Sequence, residues 1–386
     1  MNTRKEVTEK QKKAYTKASK KQKGVILDGV CLSTGLSRDR AARILRGDSA
    51  PAKKKSGARR GRRVLYGPSE QALLRRLWVT CDCICGLRLK SAIPDVLEAL
   101  ASFGEIKESK QTVQLVKRMS VSTINRLLKG ARDSFALKGR STTKPGTLLK
   151  TQIPVRLGNE WDDAVPGFVE IDLVAHCGDS TRGEYINTLD VTDIATTWTE
   201  TRAVINKAQR YVFEALMHIQ MKAPYEFLGI DSDNGAEFIN HELYRYCETY
   251  GIVFTRTRSY KKNDNAHIEE KNWSIVRKHM GYSRFEGKQA CDLMNAYYER
   301  LRLHTNFFMP TVKLVSKQRI GSKVIKHYDK PQTPYRRMLA HPNVDIQTKQ
   351  RLKATYATLN PAKLKRDMLA IQDRLEKLAI PWNGYH

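Results

Sequence analysis

Three carboxylates, widely separated in the chain, have the types and spacing of a divalent metal site. Asp172 lies within the apolar, β-branched run GFVEIDLV (167–174), where a charge is unfavourable unless it is used. Asp233 follows a second apolar run in GIDSDNG (229–235), and Glu269 begins a helical pattern after a further 35 residues. Carboxylate oxygens are the ligands that Mg²⁺ and Mn²⁺ prefer. The pattern therefore predicts a metal centre built from two strand residues and one helix residue.

Alternating strands and helices between residues 161 and 285 would position these carboxylates. Apolar runs predict strands at 167–174, 185–191, 198–204, 225–230 and 252–254, with the first three antiparallel because the turns between them are short. Helical spacing predicts helices at 206–221, 236–250 and 267–280. We therefore expect a mixed five-stranded α/β sheet, with Asp233 at the carboxyl end of its strand, where α/β sites usually open.

The segments around these carboxylates resemble the retroviral-integrase-like superfamily of DDE transposases, particularly bacterial insertion-sequence transposases. The matching segments are PGFVEIDLV, DSDNGAEF and SYKKNDNAHIEEKNW, and the 35 residues between Asp233 and Glu269 fit the family's spacing. The resemblance implies a ribonuclease-H-like α/β core. It also implies that Asp172, Asp233 and Glu269 are catalytic and bind two Mg²⁺ or Mn²⁺ ions per active site.

The resemblance further implies a transposase that binds the ends of its element, cleaves them and joins the 3′-hydroxyl to target DNA. In a two-metal site, Asp172 would bridge the ions, Asp233 would hold one and Glu269 the other. Two other functions stay open: a ribonuclease-H-like metal nuclease without strand transfer, and a DNA-binding regulator derived from a transposase. The sequence does not show whether a helper protein chooses the target.

Four neighbouring acidic residues fit the metal-site pattern less well than these three. Asp231 precedes Asp233 by two residues, but the family pattern places the ligand immediately before Asn-Gly. Glu270 would point about 100° away from Glu269 on a helix, and the motif favours Glu269. Asp190 and Asp193 are expected to end a strand and cap a turn.

Charge is distributed unevenly along the chain, whose net charge is +29. Residues 1–150 carry +23, residues 151–280 carry −6 and residues 281–386 carry +12. Basic blocks of this kind favour a nucleic-acid partner, although solvated surface is the plain alternative. We expect double-stranded DNA to bind the flanks and metal ions to bind the acidic middle.

The basic N-terminal region predicts two helix-turn-helix segments. The lysine-rich residues 1–23 are expected to be a mobile arm, and residues 24–48 to form two short helices around Thr34-Gly35-Leu36, with Ser37 as N-cap. An ordinary helical hairpin fits the same pattern equally well. A basic linker (49–68), a helical domain (69–133) with a stronger helix-turn-helix at 111–133, and a connector (134–160) follow. In the first segment, Ala41, Ala42, Ile44 and Leu45 are expected to pack in the core. In the helical domain, Pro94 is expected to open a helix.

Basic and polar side chains left exposed by these patterns, together with those flanking Glu269, are predicted to contact DNA. Their alternative role is to be solvated surface or a solubilising tether. The residues are Arg38, Arg40, Arg43, Lys53, Lys54, Lys55, Arg59, Arg60, Arg62, Arg63, Asn125, Arg126, Lys129, Arg256, Arg258, Lys261, Lys262 and Lys271.

The basic C-terminal region (286–386) predicts a small β module and a terminal helix. Residues 312–328 suggest short strands that could form a barrel-like module, and Asn360-Pro361 fits the start of the last helix. Leu364, Met368, Ile371, Leu375 and Leu378 recur at coiled-coil spacing. This seam favours a homo-oligomer on DNA, with packing inside one chain as the alternative.

Several classes of protein are not expected. No run of about 18 apolar residues exists and the N-terminus lacks an apolar signal segment, so neither a membrane span nor secretion is expected. The seven cysteines are odd in number and scattered, which predicts free thiols. We expect a cytoplasmic, nucleoid-associated protein, bacterial by resemblance.

Overall fold

The computed structural model describes residues 3–48, 65–133, 165–233, 235, 237–238, 240–256, 271–320 and 323–380. It consists of two compact units, Met1–Leu65 and Tyr66–His386, whose boundary falls inside the predicted linker. The seven cysteines are free, as predicted. No helix in the described part of the chain combines the length and apolar character needed to cross a membrane.

The first unit contains three helices: α1 (Thr3–Lys17), α2 (Lys20–Thr34) and α3 (Arg38–Arg46). The expectation of a mobile arm was wrong for α1, because Thr8 and Tyr15 are buried and Tyr15 packs with Leu27, Val30 and Leu45. The lysines of α1 thus form the polar face of an amphipathic helix.

The predicted turn between α2 and α3 is confirmed. Gly35 ends α2 with a φ of 68°, a left-handed conformation that favours glycine. Ser37 occupies the N-cap position of α3, although its side chain makes no capping hydrogen bond. Ala41, Ala42 and Leu45 are buried as expected, whereas Ile44 remains 37% exposed.

The second unit begins with four helices: α4 (Pro68–Thr80), α5 (Gly86–Ser102), α6 (Lys110–Arg118) and α7 (Val121–Asp133). Pro94 lies inside α5 rather than at a helix start, contrary to expectation. The buried residues Ile93, Val96 and Leu97 explain why the helix continues, since their packing offsets the hydrogen bond that proline removes. The predicted pair of helices α6 and α7 is confirmed, with Ile124 and Leu128 in the core.

The predicted mixed five-stranded sheet is confirmed. Its strands are β1 (Phe168–Ala175), β2 (Asn187–Asp193), β3 (Thr199–Val204), β4 (Gly229–Ser232) and β5 (Val253–Arg256), in the order β3-β2-β1-β4-β5. β1, β2 and β3 are antiparallel neighbours, whereas β4 runs parallel to both β1 and β5. This order and these directions match a ribonuclease-H-like core.

Helices α8 (Gln209–Lys222) and α9 (His241–Tyr250) follow the sheet strands, and α8 buries Val212, Leu216 and Ile219 against the sheet core. The predicted strand at 225–230 and helix at 236–250 each begin later than expected. The helix starts at 241 because the Asn240 side chain accepts the Leu243 backbone N–H.

A π-helical turn (Asn272–Arg277) leads into α10 (Lys278–Met280), and the long helix α11 (Gly287–Phe308) follows. These turns correspond to the later part of the helix predicted at 267–280, whose first four residues lie outside the described residues.

The C-terminal region contains strands β6 (Leu314–Ile320) and β7 (Lys323–Tyr328) and helices α12 (Pro334–Ala340), α13 (Ile346–Ala357) and α14 (Pro361–Glu376). In the described part of the chain, β6 and β7 form a two-stranded sheet of their own, so a hairpin stands where a barrel-like module was expected. The Asn360 side chain caps α14 as predicted by accepting two backbone N–H groups.

The predicted coiled-coil seam packs inside the chain. The buried residues of the seam are Leu364, Met368, Ile371 and Leu375. The last three share a hydrophobic core with Tyr297 and Leu301 of α11. The expectation that this seam drives self-association was therefore wrong, because α11 of the same chain already covers it.

Candidate acidic active site

Asp172 occupies the central strand of the sheet. Strand β1 lies between β2 and β4, and its other side chains, such as Ile171 and Leu173, are buried in the core. The carboxylate Oδ1 accepts the Leu173 backbone N–H at 2.7 Å, and Oδ2 accepts a hydrogen bond from the Asn272 side chain. Burial raises the pKa of Asp172 despite these hydrogen bonds, and the negative charge of Glu237 raises it further.

Asp233 follows the carboxyl end of β4, directly beside Asp172. The parallel register pairs Ile171 with Ser232, so the next residue of each strand is one of the two aspartates. Asp233 Oδ1 accepts the Gly235 backbone N–H at 2.8 Å. Burial, together with the charges of Asp172 and Glu237, raises the pKa of Asp233 to about 7. The sequence-based prediction that these two carboxylates converge is consistent with this arrangement.

Gly235 leaves room for the two acidic side chains that crowd its Cα. A Cβ at this position would lie 2.7 Å from Glu237 Cδ and 2.8 Å from Asp233 Oδ1. Glu237 had no predicted role, yet its charge acts on both aspartates. Its spacing of four residues from Asp233 across a glycine turn was the signal that could have identified it.

Asp190 was expected to end a strand, but it lies in the interior of β2, opposite Asp172 in the antiparallel register. It is fully buried, and neither carboxylate oxygen has a hydrogen-bond partner among the described residues. Burial and the charge of Asp172 raise its pKa well above the usual range, while the charge of Lys271 opposes the shift.

Asp193 and Asp231 have structural hydrogen bonds. Asp193 ends β2 and accepts the backbone N–H groups of Gly167 and Thr196 at 2.8 and 2.7 Å, which confirms that it caps a turn. Asp231 is fully buried and accepts the Thr255 hydroxyl at 2.5 Å. Each therefore has a local role apart from the Asp172–Asp233 pair.

Glu269 lies outside the described residues, as do Arg258, Lys261 and Lys262. The described chain resumes at Lys271, and Asn272, three residues after Glu269, contacts Asp172. Lys271 is only 6% exposed, and its charge acts on Asp190. This interior position differs from the DNA-facing surface expected for Lys271.

The other residues predicted to bind DNA fall into three groups. Arg38, Arg40 and Arg43 are exposed on α3, where Arg38 also pairs with Asp28. Asn125, Arg126 and Lys129 are exposed on α7. Arg256, which stands apart from these groups, is half-buried at the end of β5. The linker residues Lys53, Lys54, Lys55, Arg59, Arg60, Arg62 and Arg63 lie outside the described residues.

The chemistry of the Asp172–Asp233 pair fits a divalent cation. The two carboxylates offer hard oxygen ligands, and burial raises the pKa of both, with no hydrogen bond from a charged donor to either among the described residues. Within the described ranges, which omit Glu269, no three His, Cys, Asp or Glu side chains are grouped closely enough to hold a metal. The described part thus contains two of the three residues predicted to bind metal.

The second unit thus contains a mixed five-stranded sheet with two acidic side chains, Asp172 and Asp233, at its adjacent central strands. No family model matches the sequence. The chain is 36% identical over 339 residues to the uncharacterized protein y4rM of Sinorhizobium fredii, covering 87% of this chain and 95% of that protein. The chain therefore belongs to the same protein family as y4rM.

Solved structures of retroviral integrase cores show a more distant similarity. The catalytic core domain of HTLV-2 integrase in complex with magnesium (dimeric form) is 15% identical, with a TM-score of 0.29, over 38% of this chain and 91% of that chain. The catalytic core domain of BIV integrase is 15% identical, with a TM-score of 0.30, over 44% of this chain and 91% of the BIV chain.

Proposed function

We propose that the chain is a DNA transposase that cleaves the ends of its element and joins their 3′-hydroxyls to target DNA in a metal-dependent reaction. The observation that carries this proposal is the adjacency of Asp172 and Asp233 on neighbouring parallel strands, with the pKa of both raised. The integrase-like motifs around them supply the reaction class. The HTLV-2 integrase core is described in complex with magnesium, which agrees with the donor type found here.

Asp172, Asp233 and Glu269 would hold two Mg²⁺ or Mn²⁺ ions, which when bound activate the attacking oxygen and stabilise the leaving oxygen. The Leu173 and Gly235 backbone N–H groups orient the two aspartates, and Asn272 fixes Asp172 from the segment that follows Glu269. This last contact supports including Glu269 in the proposed site, because only two residues of the sequence separate Glu269 from Asn272.

Exposed basic side chains would hold the DNA. Arg38, Arg40 and Arg43 on α3, and Arg126 and Lys129 on α7, lie on second helices of helix-turn-helix segments, which suit the major groove. Phosphate binding by such residues is sequence-independent and weakens as salt rises. Two copies of the chain would have to assemble on paired ends, through surfaces other than the buried α14 seam.

Strand transfer tests this proposal directly. The full chain, incubated with Mn²⁺ or Mg²⁺ and duplexes copied from the DNA bordering its gene, should join those ends to a target plasmid. Asp172→Asn, Asp233→Asn and Glu269→Gln should each lower the rate by at least about 10³-fold while end binding in EDTA is retained. Glu270→Gln is the matched control and should keep full activity.

The possible results separate the candidate functions. Full activity in any of the three aspartate or glutamate variants would overturn the metal assignment. Ends that are cleaved but never joined would favour a metal nuclease. End binding without cleavage by the unaltered chain would favour a DNA-binding regulator.

A further inference from the structure

The β6–β7 hairpin differs from the rest of the second unit in how little of it is covered. The two strands pair only with each other in the described part of the chain, so each strand keeps an outer edge without a partner strand. Leu314, Val315, Ile320, Ile325 and Tyr328 are 42, 69, 57, 37 and 54% exposed. An isolated hairpin is marginally stable in water, so this one has the character of a surface for a partner.

The charge of the hairpin indicates which partner. Residues 313–330 contain six lysines or arginines and a single acidic residue, Asp329. That carboxylate is already used, because it accepts the Arg337 guanidinium at 2.6 Å and the Lys313 backbone N–H at 2.7 Å. Lys326 and Lys330 are exposed to solvent. The segment therefore presents an excess of positive charge.

The register of the strands brings basic positions of β6 and β7 opposite each other. Lys317 of β6 is paired with Lys326 of β7 in the antiparallel register, and Arg319 lies two residues further along β6. Like charges directly opposite each other destabilise an antiparallel pair. Selection for stability alone does not explain this pairing, whereas a bound polyanion would offset the repulsion.

We propose that the β6–β7 hairpin is a DNA-binding ribbon that lies in the major groove of duplex DNA. That groove, about 12 Å wide, admits a two-stranded β-ribbon, and the seven residues of β6 span about 24 Å. The lysines would contact phosphates, and Tyr328, two residues after Lys326 and so on the same face of β7, is placed to reach base edges. The ribbon is separate from the acidic site, so this inference extends the proposed function with a second kind of DNA contact.

Duplex binding in EDTA tests the ribbon independently of catalysis. The full chain and its Lys317→Glu/Lys326→Glu variant would be titrated against a fluorescent 30-base-pair duplex of mixed sequence at several salt concentrations. We expect at least a tenfold loss of affinity near 0.1 M salt, and a slope of log affinity against log salt that is smaller by about 2. The reversed pair keeps like charges opposite each other, so the hairpin's own stability should change little.

Lys353→Glu/Lys363→Glu is the matched control, since both lysines are exposed on α13 and α14 and the change in net charge is the same. It should lose less than about threefold in affinity. Methyl green, a major-groove ligand, should weaken binding of the unaltered chain more than binding of the hairpin variant. Equal losses in the hairpin and control variants, or equal sensitivity to methyl green, would overturn the ribbon. Neither result would bear on strand transfer, which is measured separately.

Discussion

Asp82 and the pair Asp172 and Asp233 are carboxylates of the second unit whose pKa values are shifted in opposite directions. Asp82, in the turn between α4 and α5, pairs with Lys278 and with Lys365, whose Nζ lies 2.8 Å from Asp82 Oδ1. Burial alone would raise the pKa of Asp82, but His279, Lys278 and Lys365 together hold it well below its usual range. The donors to Asp172 and Asp233 among the described residues are neutral amides, and burial raises the pKa of both.

The difference distinguishes a carboxylate that holds the fold from one that needs a cation. Asp82 joins the α4–α5 turn to α10 and α14, so its charge is balanced by residues of the same chain. The aspartates at 172 and 233 carry charge that the described protein does not balance. Such a site is stable with protons or with metal ions, and the bound state depends on conditions.

The largest expected effect is on stability, at Asp82. Asp82→Asn would leave Lys278 and Lys365 mostly buried without their partner, which should lower the free energy of unfolding by about 3–5 kcal/mol. The isosteric change Asp172→Asn removes a charge that burial disfavours and that no cation among the described residues pairs with, so it should cost less than about 1 kcal/mol. Urea denaturation of both variants in EDTA checks this contrast. Similar losses in the two would break the comparison.

The next effect is a pH dependence that belongs to Asp233. Its folded pKa of about 7 lies above the unfolded value, so the folded state holds the proton more tightly. Its contribution to stability is therefore present at low pH and is lost as pH rises through about 7, at up to about 1.4 kcal/mol per pH unit.

The measurement is the free energy of unfolding in EDTA between pH 5 and 8, for the unaltered chain and for Asp233→Asn. The unaltered chain should lose stability relative to the variant as pH rises. A gain in stability of the unaltered chain relative to the variant as pH rises would mean that positive charge offsets Asp233, as it offsets Asp82.

A smaller effect is expected at the turn that supports Asp233. Gly235→Ala would force a Cβ against Glu237 and Asp233, so it should cost about 1–3 kcal/mol and also weaken metal binding. Gly29→Ala is the control, because this glycine lies inside α2 with no atom within 4 Å of its Cβ position. That change should stabilise by about 0.5–1 kcal/mol. Thermal unfolding with and without Mn²⁺ measures both, and an unchanged Mn²⁺ response in Gly235→Ala would count against the turn's role.

Local patterns in the sequence predicted most of the strands and helices of the sheet domain. β-branched runs predicted the strands, and the apolar context of Asp172 and the SDNG turn after β4 predicted that the aspartates meet. Boundaries shifted where a side chain decides the helix start, as Asn240 does for α9. The coiled-coil spacing in α14 was real, but spacing alone does not reveal that α11 covers it.

Other features depend on contacts between distant parts of the chain. The sequence did not predict helix α1, because its many lysines suggested a mobile arm. The apolar face of α1 depends on Tyr15, a single buried residue among many polar ones. Asp82 and Lys365 are 283 residues apart, so no local pattern predicts their pairing. The burial of Lys271 likewise follows from its position beside Asp190 on the sheet.

Titration of the full chain with Mn²⁺ at pH 7.5, followed by calorimetry, tests most directly the claim that Asp172 and Asp233 form a metal site. The unaltered chain and Asp82→Asn should bind Mn²⁺ with proton release, since binding displaces the protons that the raised pKa of the acidic pair retains. Asp172→Asn and Asp233→Asn should each weaken binding by at least about tenfold. Unchanged binding in both aspartate variants would contradict the account.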